Sequence, residues 1–166
     1  MRLQLETATS AAAKELTRRL RSSNTNRLLG FTVEAAEPGR AVLAMRVREL
    51  HRQIHGVVHG GIIATLADTA AALGVYMALP RGTPMATVEL KINYLEPLVH
   101  GVVIAEGRML RKGRNFAVAE CDVRDHDGRL AAKALMTFAI RPSGIPPLKV
   151  SRKGTSRKGQ ARRKGR

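Results

Sequence analysis

Aromatic residues are scarce in this chain: three Phe, two Tyr and no Trp among 166 residues. A module that stacks nucleic-acid bases needs exposed rings, so the scarcity argues against that class. Cysteine is nearly absent too. The single Cys121 can form no internal disulfide and supplies no cysteine metal cluster, which fits a reducing compartment. It stands in the alternating run "FAVAECDV", read as a half-buried strand thiol with no activating pattern around it. A secretory leader is missing from the expected place. "MRLQLETATSAAAKELTRRLRSS" has no continuous apolar run and carries Glu6 and Glu15, which also weaken a transit-peptide reading. The expected location is cytoplasmic.

Acid is absent from the C-terminal stretch. Lys149 to Arg166 holds nine Lys or Arg and no Asp or Glu, whereas the first 148 residues hold twenty basic and thirteen acidic ones. Most of the net charge of +16 therefore comes from "KVSRKGTSRKGQARRKGR". With almost no apolar content it is expected to be disordered, either as an incidental extension or as a weak contact for nucleic acid or an anionic surface. The chain divides into an N-terminal helical segment at 1–27, a folded domain at 28–141 and a basic tail at 142–166.

What is present is periodicity. "SAAAKELTRRLR" predicts an amphipathic helix over 10–21 with Ser10 as N-cap. Phe31 and Val33 alternate with polar sites, "EPGR" is a turn and "AVLAMRV" returns, a hairpin. Residues 51–58 read as a loop with Gly56 at a turn. A helix is expected over 60–79, ended by Pro80, which lacks the amide hydrogen a continuing helix requires. Strands follow in "MATVELKINYL", where Ala86, Val88, Leu90, Ile92 and Tyr94 face one way, and in "GVVIAEGRML", "NFAVAECDVRD" and "RLAAKALMTFAI". The order of helix, two strands, long helix and four strands implies an α+β domain, an antiparallel sheet with one long helix packed on it.

The long helix carries one charged residue, Asp68, among Ile62, Ile63, Leu66, Leu73, Val75 and Met77. Its length admits a membrane span. A carboxylate near the middle would cost roughly 2.5–3.5 kcal/mol there, and alternating strands flank it, so a core helix is the reading. A buried carboxylate needs a partner: a hydroxyl such as Thr65 or Thr69, or a base. Burial would also raise its pKa, which suits a general base or nucleophile.

At the helix front stands "HGG", residues 59–61. Helix starts present free N–H groups and partial positive charge, and glycine lets a ligand approach the backbone, so Gly60 and Gly61 could polarise a carbonyl oxygen. Asp68 lies eight residues past Gly60, about 12 Å along the axis at ~1.5 Å per residue. One helix cannot bring both groups to one carbonyl. If both serve one reaction, a two-fold dimer with shared sites is the solution. His51, His55 and His59 have a spacing that suits metal ligands on a helix, but Gly56, Val57 and Val58 interrupt it, so no metal is expected.

Gln53-x-x-Gly56-x-x-His59-Gly60-Gly61, Leu66-Ala67-Asp68 and "TVELKINYLEP" together resemble the hotdog-fold acyl-CoA thioesterases of the PaaI-like type. The resemblance covers about residues 28–140. It implies a sheet wrapped around the long helix, homodimers sharing sites, and homotetramers. It implies that the Gly60 N–H binds the thioester oxygen and that Asp68 of a partner copy activates water or attacks the carbonyl. His59 and Gln53 would align the thioester, and Thr87 would help hold the water or the carboxylate. Ala72 replaces a Thr found in some relatives, so no hydroxyl can position water there. No cofactor is implied, since coenzyme A belongs to the substrate. Its phosphates need cations, and "RMLRKGRN" offers Arg108, Arg111, Lys112 and Arg114. Two other readings stand beside hydrolysis: a non-catalytic acyl-CoA binder tethered to nucleic acid by its tail, and a hotdog hydratase, whose Asp-x-x-x-x-His arrangement is not evident.

Overall fold

The computed structural model describes residues 11–140; the expected Ser10 cap and the basic tail lie outside the described residues. The elements are α1 (Ala11–Ser22), α2 (Asn24–Leu29), β1 (Phe31–Glu37), β2 (Arg40–Arg46), a 3-10 turn (Glu49–His51), α3 (Gly60–Met77), β3 (Met85–Tyr94), β4 (Val102–Lys112), β5 (Phe116–Arg124) and β6 (Leu130–Ile140). Six strands form one antiparallel sheet in the order β1-β2-β4-β5-β6-β3, which leaves β1 and β3 at its edges.

The sheet wraps α3, which touches all six strands. By length and composition α3 could cross a membrane. Its buried residues Ile63, Leu66, Ala67, Ala70, Ala71, Leu73, Gly74 and Val75 instead pack on strand side chains such as Leu43, Val103, Ala119, Val123 and Phe138. The small residues let helix and sheet come close. At Gly107 of β4 an added Cβ would lie 2.3 Å from the Ala71 backbone nitrogen, so only glycine fits. Gly39, at the β1–β2 turn, donates its N–H to the Gly74 carbonyl at 3.0 Å and ties that hairpin to the helix.

The N-terminal helix joins the same core: Ala13, Leu16 and Leu20 are buried, and α1 packs on β1. Nothing in the sequence pattern anticipated α2, which Ser23 caps by accepting from the Asn26 N–H and Gly30 ends in a left-handed conformation.

Two expectations need correction. The strict alternation assigned to β3 fails at a bulge between Thr87 and Glu89. Thr87 pairs with Phe138, and Leu90, Ile92 and Tyr94 pair with Met136, Ala134 and Ala132, all four buried partners on the helix side. The extra residue, Val88, is 60% exposed, and Thr87 is thereby turned toward α3. Cys121 is fully buried rather than half-buried, because α3 covers that face of β5; burial, more than the nearby Asp122, pushes its thiol up to about 12. Such a thiol is inert at neutral pH.

Candidate active site

The front of α3 is built by the loop before it. Gly56, at a φ of +79°, donates to the Gln53 carbonyl at 2.9 Å, and Gln53 donates its N–H to the Val57 carbonyl at 2.8 Å. Val58 is fixed to Leu98 and His59 to His51 by backbone hydrogen bonds of 2.7 and 2.8 Å. The three histidines therefore follow a loop and not a helix face. His51 is wholly buried, its Nδ1 accepting the Arg48 N–H at 3.1 Å; burial, then the Arg48 guanidinium, holds its imidazole below the ordinary range. It is a structural support for the loop.

His59 is the N-cap of α3, and its Nδ1 accepts the Gly61 N–H at 2.9 Å. The Gly60 carbonyl, on the other side of the same peptide, accepts the Tyr94 hydroxyl at 2.8 Å. The Gly60–Gly61 peptide is thus held at both ends. Among the described residues no acceptor takes the Gly60 N–H, which stands as the donor of the helix tip. An added Cβ at Gly60 would lie 3.1 Å from the Tyr94 ring, so glycine suits the position on steric grounds as well. A cleft of about 320 Å³ opens here, lined by Gln53, Gly60, Ile63, Tyr94, Glu96 and Leu98 among others.

Asp68 lies elsewhere. The face of α3 turned from the sheet carries Gly61, Thr65, Asp68, Ala72 and Tyr76, exposed or half-buried at helical spacing. Thr65 and Thr69 bond back to the carbonyls of Gly61 and Thr65 at 2.8 and 2.7 Å, so neither holds the acid. The partner is Thr87, whose hydroxyl donates to Asp68 Oδ1 at 2.8 Å. No cation pairs with Asp68 among the described residues. Burial raises the carboxyl above its ordinary range, and the Thr87 hydrogen bond opposes part of that shift. Beyond Asp68, a second pocket of about 160 Å³ lies between α3 and β3, with Ala72, Leu73, Tyr76, Met85, Thr87 and Phe138 in its wall and Arg19 at its rim.

Helix geometry keeps the tip and the acid of one chain about 12 Å apart. The structure therefore brings Gln53, His59, Gly60 and Gly61 together at one place and Asp68 with Thr87 at another. The basic hairpin lies at the far end of the strand row that carries Thr87. Lys112 pairs with Ala117, Ala117 with Phe138 and Phe138 with Thr87, one row across the sheet. At ~4.8 Å per strand, Lys112 lies about 14 Å from Thr87 along that row. Arg111, Lys112 and Arg114 are exposed, with no ion pair among the described residues, whereas Arg108 is engaged by Glu106 at 2.8 Å. Sequence reasoning missed Tyr94 as a partner of the tip; it counted the residue as one of an apolar row, although a phenol is the only member of that row able to donate.

Known proteins share this chain's sequence pattern and fold. A family model described as "Thioesterase superfamily" matches residues 55–132. The chain is similar to acyl-coenzyme A thioesterase 13 of Homo sapiens, 30% identical over 120 residues that cover 70% of this chain and 85% of the relative. A solved thioesterase from Haemophilus influenzae superposes with a TM-score of 0.73 at 25% identity, covering 81% of this chain and 94% of that one. The PaaI protein from the phenylacetic acid degradation operon of E. coli has the same fold, with a TM-score of 0.73 at 20% identity over 79% of this chain and 94% of its own.

Proposed function

Since the chain belongs to the thioesterase superfamily, and is thereby an enzyme that hydrolyses thioesters, we propose that it cleaves acyl-CoA at sites shared between two copies. The observation that carries this reading is the separation of a free amide tip at Gly60 from a carboxylate at Asp68 that Thr87 holds on the half-buried helix face turned from the sheet. Two copies with antiparallel α3 helices would bring each Asp68 to the other's tip. The open stripe on α3 and the unpaired edge of β3 with its exposed Val88 support such a dimer. Pairing of dimers into tetramers belongs to the same proposal.

The thioester carbonyl would lie on the Gly60 N–H, at the positive end of the α3 dipole, with Gln53 and His59 beside it. Asp68 of the other copy either takes a proton from water as the water oxygen attacks the carbonyl carbon, or attacks that carbon itself to form an anhydride that water then opens. In both routes negative charge collects on the carbonyl oxygen and is met by the amide. Collapse expels the CoA thiolate, which needs little help, since a thiol has a pKa of about 8.5. The Thr87 hydrogen bond keeps Asp68 aimed and opposes part of the rise that burial imposes on its carboxyl. The CoA phosphates would meet Arg111, Lys112 and Arg114.

The test is steady-state hydrolysis of an acyl-CoA panel by the wild type and by Asp68→Asn. Loss of about 10²–10⁴ in kcat with the fold and assembly intact is expected, the scale of a lost general base. Turnover unchanged in the variant would overturn the assignment of Asp68.

A further inference from the structure

Arg19 of α1 sits in a position that thioester cleavage leaves unused. Its guanidinium carbon lies 3.9 Å from the centroid of the Tyr76 ring, stacked over it. The neighbouring Arg18 takes the nearby acid Glu15, and Arg19 itself forms no ion pair among the described residues. Stacking uses the flat face of the guanidinium and leaves its N–H edge open.

That edge borders the pocket of about 160 Å³ beside Asp68. The pocket has a chemical direction. It starts at Thr87, which donates to Asp68, passes Ala72 one turn further along α3 and the apolar Leu73, Met85 and Phe138, and reaches Tyr76 with Arg19 above it. A carbonyl placed against Asp68 would direct its acyl substituent into this space. Between Thr87 at one end and Tyr76 with Arg19 at the other, the wall is formed by the apolar Ala72, Leu73, Met85, Ala86 and Phe138.

On the reading proposed above, we infer that Arg19 is a specificity residue, and that the preferred acyl group is a short chain ending in a carboxylate: the monothioester of a dicarboxylic acid. Asp68 and Tyr76 are eight residues apart, about 12 Å along α3. Contacts of about 3 Å at each end leave roughly 6 Å for the chain. An extended chain advances about 3.5 Å per three bonds, so roughly five bonds span that length, as in a glutaryl or adipoyl group. A plain alkyl chain of equal length would fill the same walls and leave the guanidinium edge to water. A carboxylate gains a charge-assisted, forked pair there. The distance also keeps the substrate's own carboxylate away from Asp68.

The experiment measures kcat/KM for adipoyl-CoA and hexanoyl-CoA, equal in carbon number, with the full-length wild type, Arg19→Met and Arg19→Glu. The wild type should favour adipoyl-CoA by about tenfold, the order of one hydrogen bond to a charged group at a partly exposed site. The ratio should fall to near one in Arg19→Met and invert in Arg19→Glu, with the change in KM rather than kcat. A residue that only braces α1 on Tyr76 would lower both substrates together and leave the ratio unmoved, which overturns the inference. Hydrolysis of both thioesters in an unchanged ratio sinks this specificity alone; hydrolysis of no acyl-CoA at all sinks the thioesterase reading with it.

Discussion

At Asp68 two forces oppose each other. Burial raises the carboxyl and the Thr87 hydroxyl lowers it, with burial the larger. Removing the hydroxyl by Thr87→Val should therefore move the acid limb of the pH–rate profile to higher pH; a limb that stays in place would show that Thr87 does not tune the acid. The same imbalance bears on stability. The folded-state pKa lies above the unfolded value, so the folded protein holds the proton more tightly. The contribution is full below the unfolded value and is lost as pH rises through the raised one. Asp68→Asn, which still accepts from Thr87, should raise the melting temperature at neutral pH and lose that advantage in acid, while activity collapses. Asp68 and "HGG" were legible in the sequence because a lone charge and a glycine pair stand out in an apolar helix. The Thr87 contact was not legible from periodicity, which put that residue on the wrong face; only the family resemblance pointed to it. Tyr94 escaped notice because its side chain is apolar except at the one atom that reaches Gly60.

Elements were easier to read than their irregularities. Each long strand and α3 itself appeared in the periodicity, since one buried face imposes a period of two on strands; α3 stops at Met77, short of the expected end at 79 before Pro80. The bulge at Val88 left no such trace: an inserted residue changes the phase without changing composition. The seat of α3 on the sheet also depends on an absence, the missing side chain of Gly107. Gly107→Ala would push a methyl into the Ala71 backbone, 2.3 Å away, and backbone cannot rotate aside. A loss of about 3 kcal/mol or more in urea unfolding is expected. A loss below about 1 kcal/mol would mean that β4 and α3 can separate without cost, against the packing described here.

For the molecule as a whole, the amide tip and the carboxylate sit at two places on one chain, and the proposed function requires a second copy to unite them. The fold was readable from the order of elements together with the motif; the expectation of a second copy came from multiplying residues by helix rise and from the family resemblance. The most direct measurement mixes two inactive variants. Asp68→Asn removes the acid. Gly60→Pro removes the tip donor and has the backbone for a first helical position after an extended His59, at φ −62° and ψ 130°, with the Tyr94 side chain, 3.1 Å from the added Cβ, giving way by a few tenths of an ångström. The two proteins, co-refolded at equal concentration, should form hybrid dimers in half of the population, each with one intact site made from the Gly60 of one chain and the Asp68 of the other. About a quarter of the wild-type activity should return. A mixture no more active than its separated components would place tip and acid in different reactions and contradict the shared site.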